Sequence, residues 1–342
     1  MYTSNPRPPL VRTVTSNSNY IRAVAISPVS PLLVSASSEE IKIWQLDNGK
    51  LLRTLTGHLD YVRAIAISPD GKTLVSAGND QTIKIWNLED GELLGTLTGH
   101  LGSVLCLAFS PDGQTVVSGS NDNSIKVWNI ADCRLLRTLT CHCGSVLSLA
   151  ISPDGTTIVS GSFDNTIKIW QVSTGQMLRT LKGHSNWVAA VAITPDGKTL
   201  VSGSSDNTIK VWQLSNGKML RNLKGHSCWV DSVALSPNGQ TIVSGSSDHT
   251  IKIWQLSSGK MLRTLSGHSG AVLSIAISPD NATLVSGGND NTIKMWQIDN
   301  GKLLRTLTGD SNWFWSVTTN SDDTFAGDDD DSSLKLWRLR ET

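Results

Sequence analysis

The sequence predicts an all-β fold, a closed ring of eight four-stranded antiparallel sheets set face to face around an axis. Three observations predict it. Eight tryptophans each close an I/L-K-x motif: Trp44, Trp86, Trp128, Trp170, Trp212, Trp254, Trp296 and Trp337, stepping by 42 residues six times and then by 41. Each period holds four short apolar runs broken by turn residues, with no helical period in any window. The first strand pattern is Leu10–Thr15 (LVRTVT), a fourth-strand pattern with no first three strands before it, and the last is a third strand near Trp337–Leu339 with no fourth after it. The N-terminal strand therefore completes the C-terminal sheet.

One period shows the logic. Val188–Ile193 (VAAVAI) is apolar and β-prone, and Pro195-Asp196-Gly197 is a turn in which Pro presets φ and Gly accepts φ > 0. Thr199–Ser202 reads as the second strand and Thr208–Leu214 (TIKVWQL) as the third. Asn216-Gly217 is a two-residue hairpin signal, and Met219–Leu223 is the fourth strand. A single such sheet cannot bury both faces, but stacked neighbours can. Blades around a channel follow, as an eight-bladed β-propeller of residues 10–340 behind a flexible tail of residues 1–9.

Composition excludes several functions. Lys+Arg and Asp+Glu both number 29, so the chain as a whole is not a basic coat for nucleic acid or anionic membrane. No apolar run is long enough to span a bilayer, and the first ten residues lack a signal-peptide core. Five scattered cysteines do not form a disulfide framework, so a reducing, cytoplasmic setting is expected. A monomer is expected, and neither metal nor cofactor. Cys141-His142-Cys143 has poor tetrahedral geometry and no second pair at zinc spacing. The acidic run Asp322–Asp331 lacks EF-hand spacing and reads as a solvated turn. Lys before the penultimate strand residue, and Arg in mid fourth strand in seven units of eight, read as structure, the Arg as protection of an outer edge.

The Gly-His dipeptides, the S-x-D before each third strand and its closing Trp resemble the WD-repeat β-propeller family. The near-identity of the units resembles bacterial, especially cyanobacterial, members. The Trp is followed here by Gln, Asn or Arg, never Asp. The resemblance implies a hydrogen-bonded tetrad inside each blade. The sets are His58–Ser76–Asp80–Trp86, His100–Ser118–Asp122–Trp128, His142–Ser160–Asp164–Trp170, His184–Ser202–Asp206–Trp212, His226–Ser244–Asp248–Trp254 and His268–Ser286–Asp290–Trp296. Such sets satisfy buried polar groups; they are not hydrolase triads, which need one exposed nucleophile beside an oxyanion hole. The end units depart: Asn17 and Asp310 replace His, and Gly327 replaces Ser.

Function is expected where the repeats disagree. The resemblance places the positions three and five after the His around the channel mouth on the narrow face. Reading them round the ring gives Tyr20/Arg22, Tyr61/Arg63, Ser103/Leu105, Ser145/Leu147, Trp187/Ala189, Trp229/Asp231, Ala271/Leu273 and Trp313/Trp315. The four tryptophans outside the ladder all fall here, and Phe163 joins the same rim. Trp, Tyr and Arg dominate binding hot spots. The expected function is a non-catalytic scaffold holding a partner protein or peptide through Tyr20, Arg22, Tyr61, Arg63, Phe163, Trp187, Trp229, Asp231, Trp313 and Trp315. The alternatives are a sensing module of a larger signalling system, a nucleic-acid binder using Arg22 and Arg63, and a propeller enzyme. No acid–base–nucleophile set stands apart from the repeat to support the last.

Overall fold

The structure is a computed structural model and describes residues 10–15, 21–45, 50–290, 292–308, 317–319, 324–328 and 333–338. Seven of its sheets are each built from four strands consecutive in sequence: residues 21–56, 62–97, 104–140, 146–181, 188–224, 230–266 and 272–308, here the first to seventh blades. One further sheet is composite: Val317–Thr319, Thr324–Asp328 and Ser333–Arg338 are completed by Leu10–Thr15 from the other end of the chain. This corrects the expectation of an eight-bladed propeller. Seven are complete repeats, and the closing sheet is a different object. Its described strands draw on both ends of the chain, whereas each of the seven blades uses four consecutive strands. The side chains of the closing sheet, and Asn17 and Asp310, lie outside the described residues, as do Asp329, Asp330 and Asp331 of the acidic run.

The ring order follows the sequence. The first strand of each blade packs beside the first strand of the next, and the closing sheet touches the first and seventh blades. First strands therefore line the axis and fourth strands form the outer edge. The core lies between sheets. Ile167, Ile169 and Leu181 of the fourth blade pack against Val188, Leu200 and Trp212 of the fifth, and the same cluster recurs at each described interface. Trp212 is buried there beside Gly183, where an added β-carbon would lie 2.9 Å from the indole. The ladder tryptophan thus fills the interface while the Gly-His loop passes over it.

Turn chemistry follows the sequence at Pro195-Asp196-Gly197, where Gly197 has φ +68 and its N–H donates to Thr194 O at 2.8 Å. The Asn216-Gly217 turn is longer than a two-residue hairpin. Only Gly217 has positive φ, its N–H donates back to Gln213 O, and the register slips between Val211 and Trp212. The extra length frees the Leu214 N–H to donate to Lys198 O, tying the loop to the second strand's entry.

The repeated cations hold blades together. Lys210 is buried, and its Nζ donates to Asn222 Oδ1 at 3.0 Å; in five other blades the equivalent Lys donates to a fourth-strand Thr at 2.9–3.3 Å, as Lys84 does to Thr96 and Lys126 to Thr138. The outer-strand Arg reaches across to the next blade. Arg53 Nε donates to Asp90 O at 2.7 Å, Arg179 to Ser215 O at 3.1 Å, and Arg137 to Ser173 O. Edge protection is thus not their whole role: they staple each outer strand to its neighbour's hairpin. The outer strands still expose apolar side chains, Met177, Leu178, Met219 and Leu220 among them.

Candidate interaction surface

The tetrads fix the loops that carry the surface. In the fifth blade, Trp212 Nε1 donates to Ser202 Oγ at 2.9 Å, Ser202 meets His184 Nε2 at 2.8 Å, and His184 Nδ1 meets Asp206 Oδ2 at 2.8 Å. Asp206 also accepts the Ser185 N–H at 3.0 Å and the Thr208 hydroxyl at 2.6 Å. The same chain is made in the second, third, fourth, sixth and seventh blades, by the sets headed by His58, His100, His142, His226 and His268. The first blade keeps the Trp44 to Ser35 bond at 2.9 Å.

Donor counting sets the protonation state. The indole N–H uses one Ser lone pair, so the Ser hydroxyl can donate to a neutral Nε2, and Nδ1–H donates to the carboxylate. Burial agrees: it lowers the pKa of His100, His142, His184 and His226 despite the carboxylate beside each. For Asp122, Asp164 and Asp248, burial pushes the carboxyl up, but the hydrogen bonds it accepts win and hold it down at about 2. A neutral imidazole locked on both sides, with the serine buried, has no open nucleophile. His142 commits both ring nitrogens to Ser160 and Asp164, so Cys141-His142-Cys143 offers no imidazole to a metal. Among the described residues no group of three or more His, Cys, Asp or Glu is placed to hold one.

The loops after each His are tied to the turn before the third strand. The N–H groups of Ser205 and Ser247 donate to Trp187 O and Trp229 O, each at 2.9 Å, and that of Asn79 to Tyr61 O at 2.9 Å. Two positions along is a β-bulge in every complete blade: the register slips between Ile21 and Ala23, Val62 and Ala64, and Val230 and Ser232. A bulge re-aims the extra side chain. Arg22, Arg63 and Asp231 occupy that bulged place on the axis-lining strands.

Two groups of side chains result. Phe163 stacks on Trp187 with ring centroids 3.8 Å apart and planes at 23°, and Trp187 lies 5.8 Å from Trp229. The ladder runs across the fourth, fifth and sixth blades, with Phe163 42% and Trp229 46% exposed at its ends. Asp231 follows Trp229 and accepts the Ser247 hydroxyl at 2.7 Å. Burial pushes its carboxyl up to about 6 against the bonds from Ser247. On the first and second blades, Arg22 lies over the Tyr61 ring at 5.4 Å, and Arg63 Nε donates to Asn79 Oδ1 at 2.7 Å. Burial, with the nearby Arg22 charge, lowers the Arg63 guanidinium from its ordinary value.

Tyr20, Trp313 and Trp315 lie outside the described residues. Sequence reasoning passed over Leu59 and Leu101, which directly follow His58 and His100 and are 84% and 85% exposed. Their signal was readable: Ser185, Ser227 and Ser269 fill the same place in later blades, so the fold does not require leucine there. Among the described residues no helix is long and apolar enough to cross a membrane.

Comparison with known proteins agrees with this architecture. A family model described as the WDR3 first beta-propeller domain matches residues 31–214. The model for the WD domain, G-beta repeat, matches residues 8–45, 217–255, 259–297 and 301–338. The crystal structure of the computationally designed Ika8 protein superposes with a TM-score of 0.86 at 34% identity, covering 96% of this chain and 98% of that one. No curated protein matches. The fold commonly mediates protein–protein interaction. On the family models, the repeated tetrads and the blade architecture together, the chain belongs to the WD-repeat β-propeller family.

Proposed function

We propose that this propeller docks a partner protein or peptide on the face carrying the Gly-His loops. The observation that carries the reading is the Phe163–Trp187–Trp229 ladder, half-exposed at its ends. Other blades place Ser103, Ser145 and Ala271 where Trp187 and Trp229 stand, so the indoles are not needed for the fold. Aromatic rings held rigid by their neighbours lose little entropy on binding, which is why they anchor interfaces. Leu59, Leu101 and Tyr61 extend the apolar area along the adjoining rim.

The test is partner capture from source cells with three baits: the parent chain, Trp187→Ser with Trp229→Ser, and an outer-edge control, Met177→Ser with Met219→Ser. The rim variant copies residues other blades already carry, so it should fold. Loss of a partner with the rim variant but not the edge control supports the reading. Equal recovery with both, or loss only with the edge control, refutes it.

A further inference from the structure

The docking face carries opposite charges on well-separated arcs of the ring. Arg22 and Arg63 sit at the bulges of the first and second blades, whose first strands are adjacent. Their planar forks favour carboxylates, which they bind bidentately. Asp60 lies near Arg63 and opposes the effect of burial and of the Arg22 charge on its guanidinium. Asp231 sits at the equivalent bulge of the sixth blade, with the third, fourth and fifth blades between. There Leu105, Leu147, Ala189 and Leu273 are the repeat's other choices. Asp231 is paired with a serine and, among the described residues, makes no ion pair with a cation, and burial acts against its ionised form. A carboxylate at such a position, two residues after a half-exposed tryptophan, is a group arranged for a ligand. Indole faces with a carboxylate attract ammonium or guanidinium.

We propose that the partner segment is dipolar: it sets an acidic side chain against Arg22 and Arg63, and a Lys or Arg side chain against Asp231, Trp187 and Trp229, so that it crosses the mouth in one direction. This rests on the docking reading above and adds the chemistry of the occupant. A nucleic acid fits the arrangement poorly, because the phosphates that suit Arg63 meet a carboxylate on the far arc.

The experiment is fluorescence polarisation with labelled short peptides: Glu at one end and Arg at the other, in both orders, then all-Glu, all-Arg, and an oligo-dT probe. One order of the dipolar peptide should bind most tightly. Arg63→Gln and Asp231→Asn should each weaken it about tenfold, and Asp231→Asn should strengthen the all-Glu peptide. The double reversal Arg63→Glu with Asp231→Lys should invert the preferred order. Tightest binding by oligo-dT or by a single-sign peptide overturns the proposal, as does indifference to Asp231→Asn in a variant that melts normally. Binding by all peptides without preference for order removes the polarity and leaves the docking reading standing. No binding by any peptide overturns the proposal, and the docking reading is then decided by the capture comparison.

Discussion

Cys133 occupies the space directly above Gly95: a β-carbon built on Gly95 would collide with the Cys133 Sγ. The two residues are linked exceptions. Gly95 stands where Arg53, Arg137, Arg179 and Arg221 stand in other blades, and Cys133 stands where Gly91, Gly175, Gly217 and Gly259 turn the hairpin of the following blade. Elsewhere an arginine stem packs on a glycine; here a thiol packs on a missing side chain.

A double-mutant cycle tests this exchange. Gly95→Arg alone should cost about 1–3 kcal/mol through the clash. Cys133→Gly alone relieves a non-glycine φ of +54 but empties the space, so it should be nearly neutral. Together they recreate the arginine staple. The pair should therefore be at least as stable as the parent, with a coupling of about 1 kcal/mol or more in urea denaturation. Strict additivity would show that the two residues do not share that space.

Ser202→Ala should be among the more damaging single changes in the fifth blade. It removes the acceptor of the Trp212 N–H and the partner of His184 Nε2 together, leaving both buried. The expected loss is about 1–3 kcal/mol, read as a lower urea midpoint at unchanged slope. Loss of less than a few tenths would remove the tetrads from the account of stability.

Acid should weaken the fold in two stages. The folded pKa values of His100, His142, His184 and His226 are lowered, so below an ordinary imidazole pKa the unfolded chain binds more protons and stability falls. Asp122, Asp164 and Asp248, held at about 2, add a second loss as pH falls through the ordinary carboxylate range towards that value. Asp231 acts oppositely, one group against several. Denaturation midpoints should be flat above about pH 7 and fall on acidification. A midpoint that rises as the pH is lowered towards 5 would contradict the neutral-histidine assignment.

Asp231→Asn should stabilise. The folded carboxyl titrates near 6, above its unfolded value, so the folded chain binds the extra proton and stability falls as pH rises through that interval. Above it the full penalty applies, and the amide removes it. The gain expected at neutral pH is about 1–2 kcal/mol after allowance for solvent screening. No gain would mean that the ionised carboxylate is already well solvated.

Much of this was legible in the sequence, for a physical reason: every interface needs the same bulky donor, so Trp212 and its equivalents mark the period. The tetrads could be read because the recurring His, Ser, Asp and Trp resemble the WD-repeat pattern, and that resemblance implies how they bond. The number of complete blades could not, because the ladder tryptophan recurs at Trp337 and so counts the composite closing sheet as one more unit. The arginine staples were missed because Arg179 and Ser215 lie 36 residues apart and meet only when blades stack. The bulges were invisible too, since Val188-Ala189-Ala190 reads as unbroken strand, yet the register slips there and at the places that hold Asp231 and Arg63.

The most direct test of the central claim is a hydrogen-exchange footprint of the propeller with its captured partner bound. The account predicts new protection in the loops that hold Leu59, Tyr61, Phe163, Trp187 and Trp229, with the outer strands Met177–Leu181 and Met219–Lys224 unchanged. Protection confined to those outer strands, with the loops exchanging as in the free chain, would contradict it.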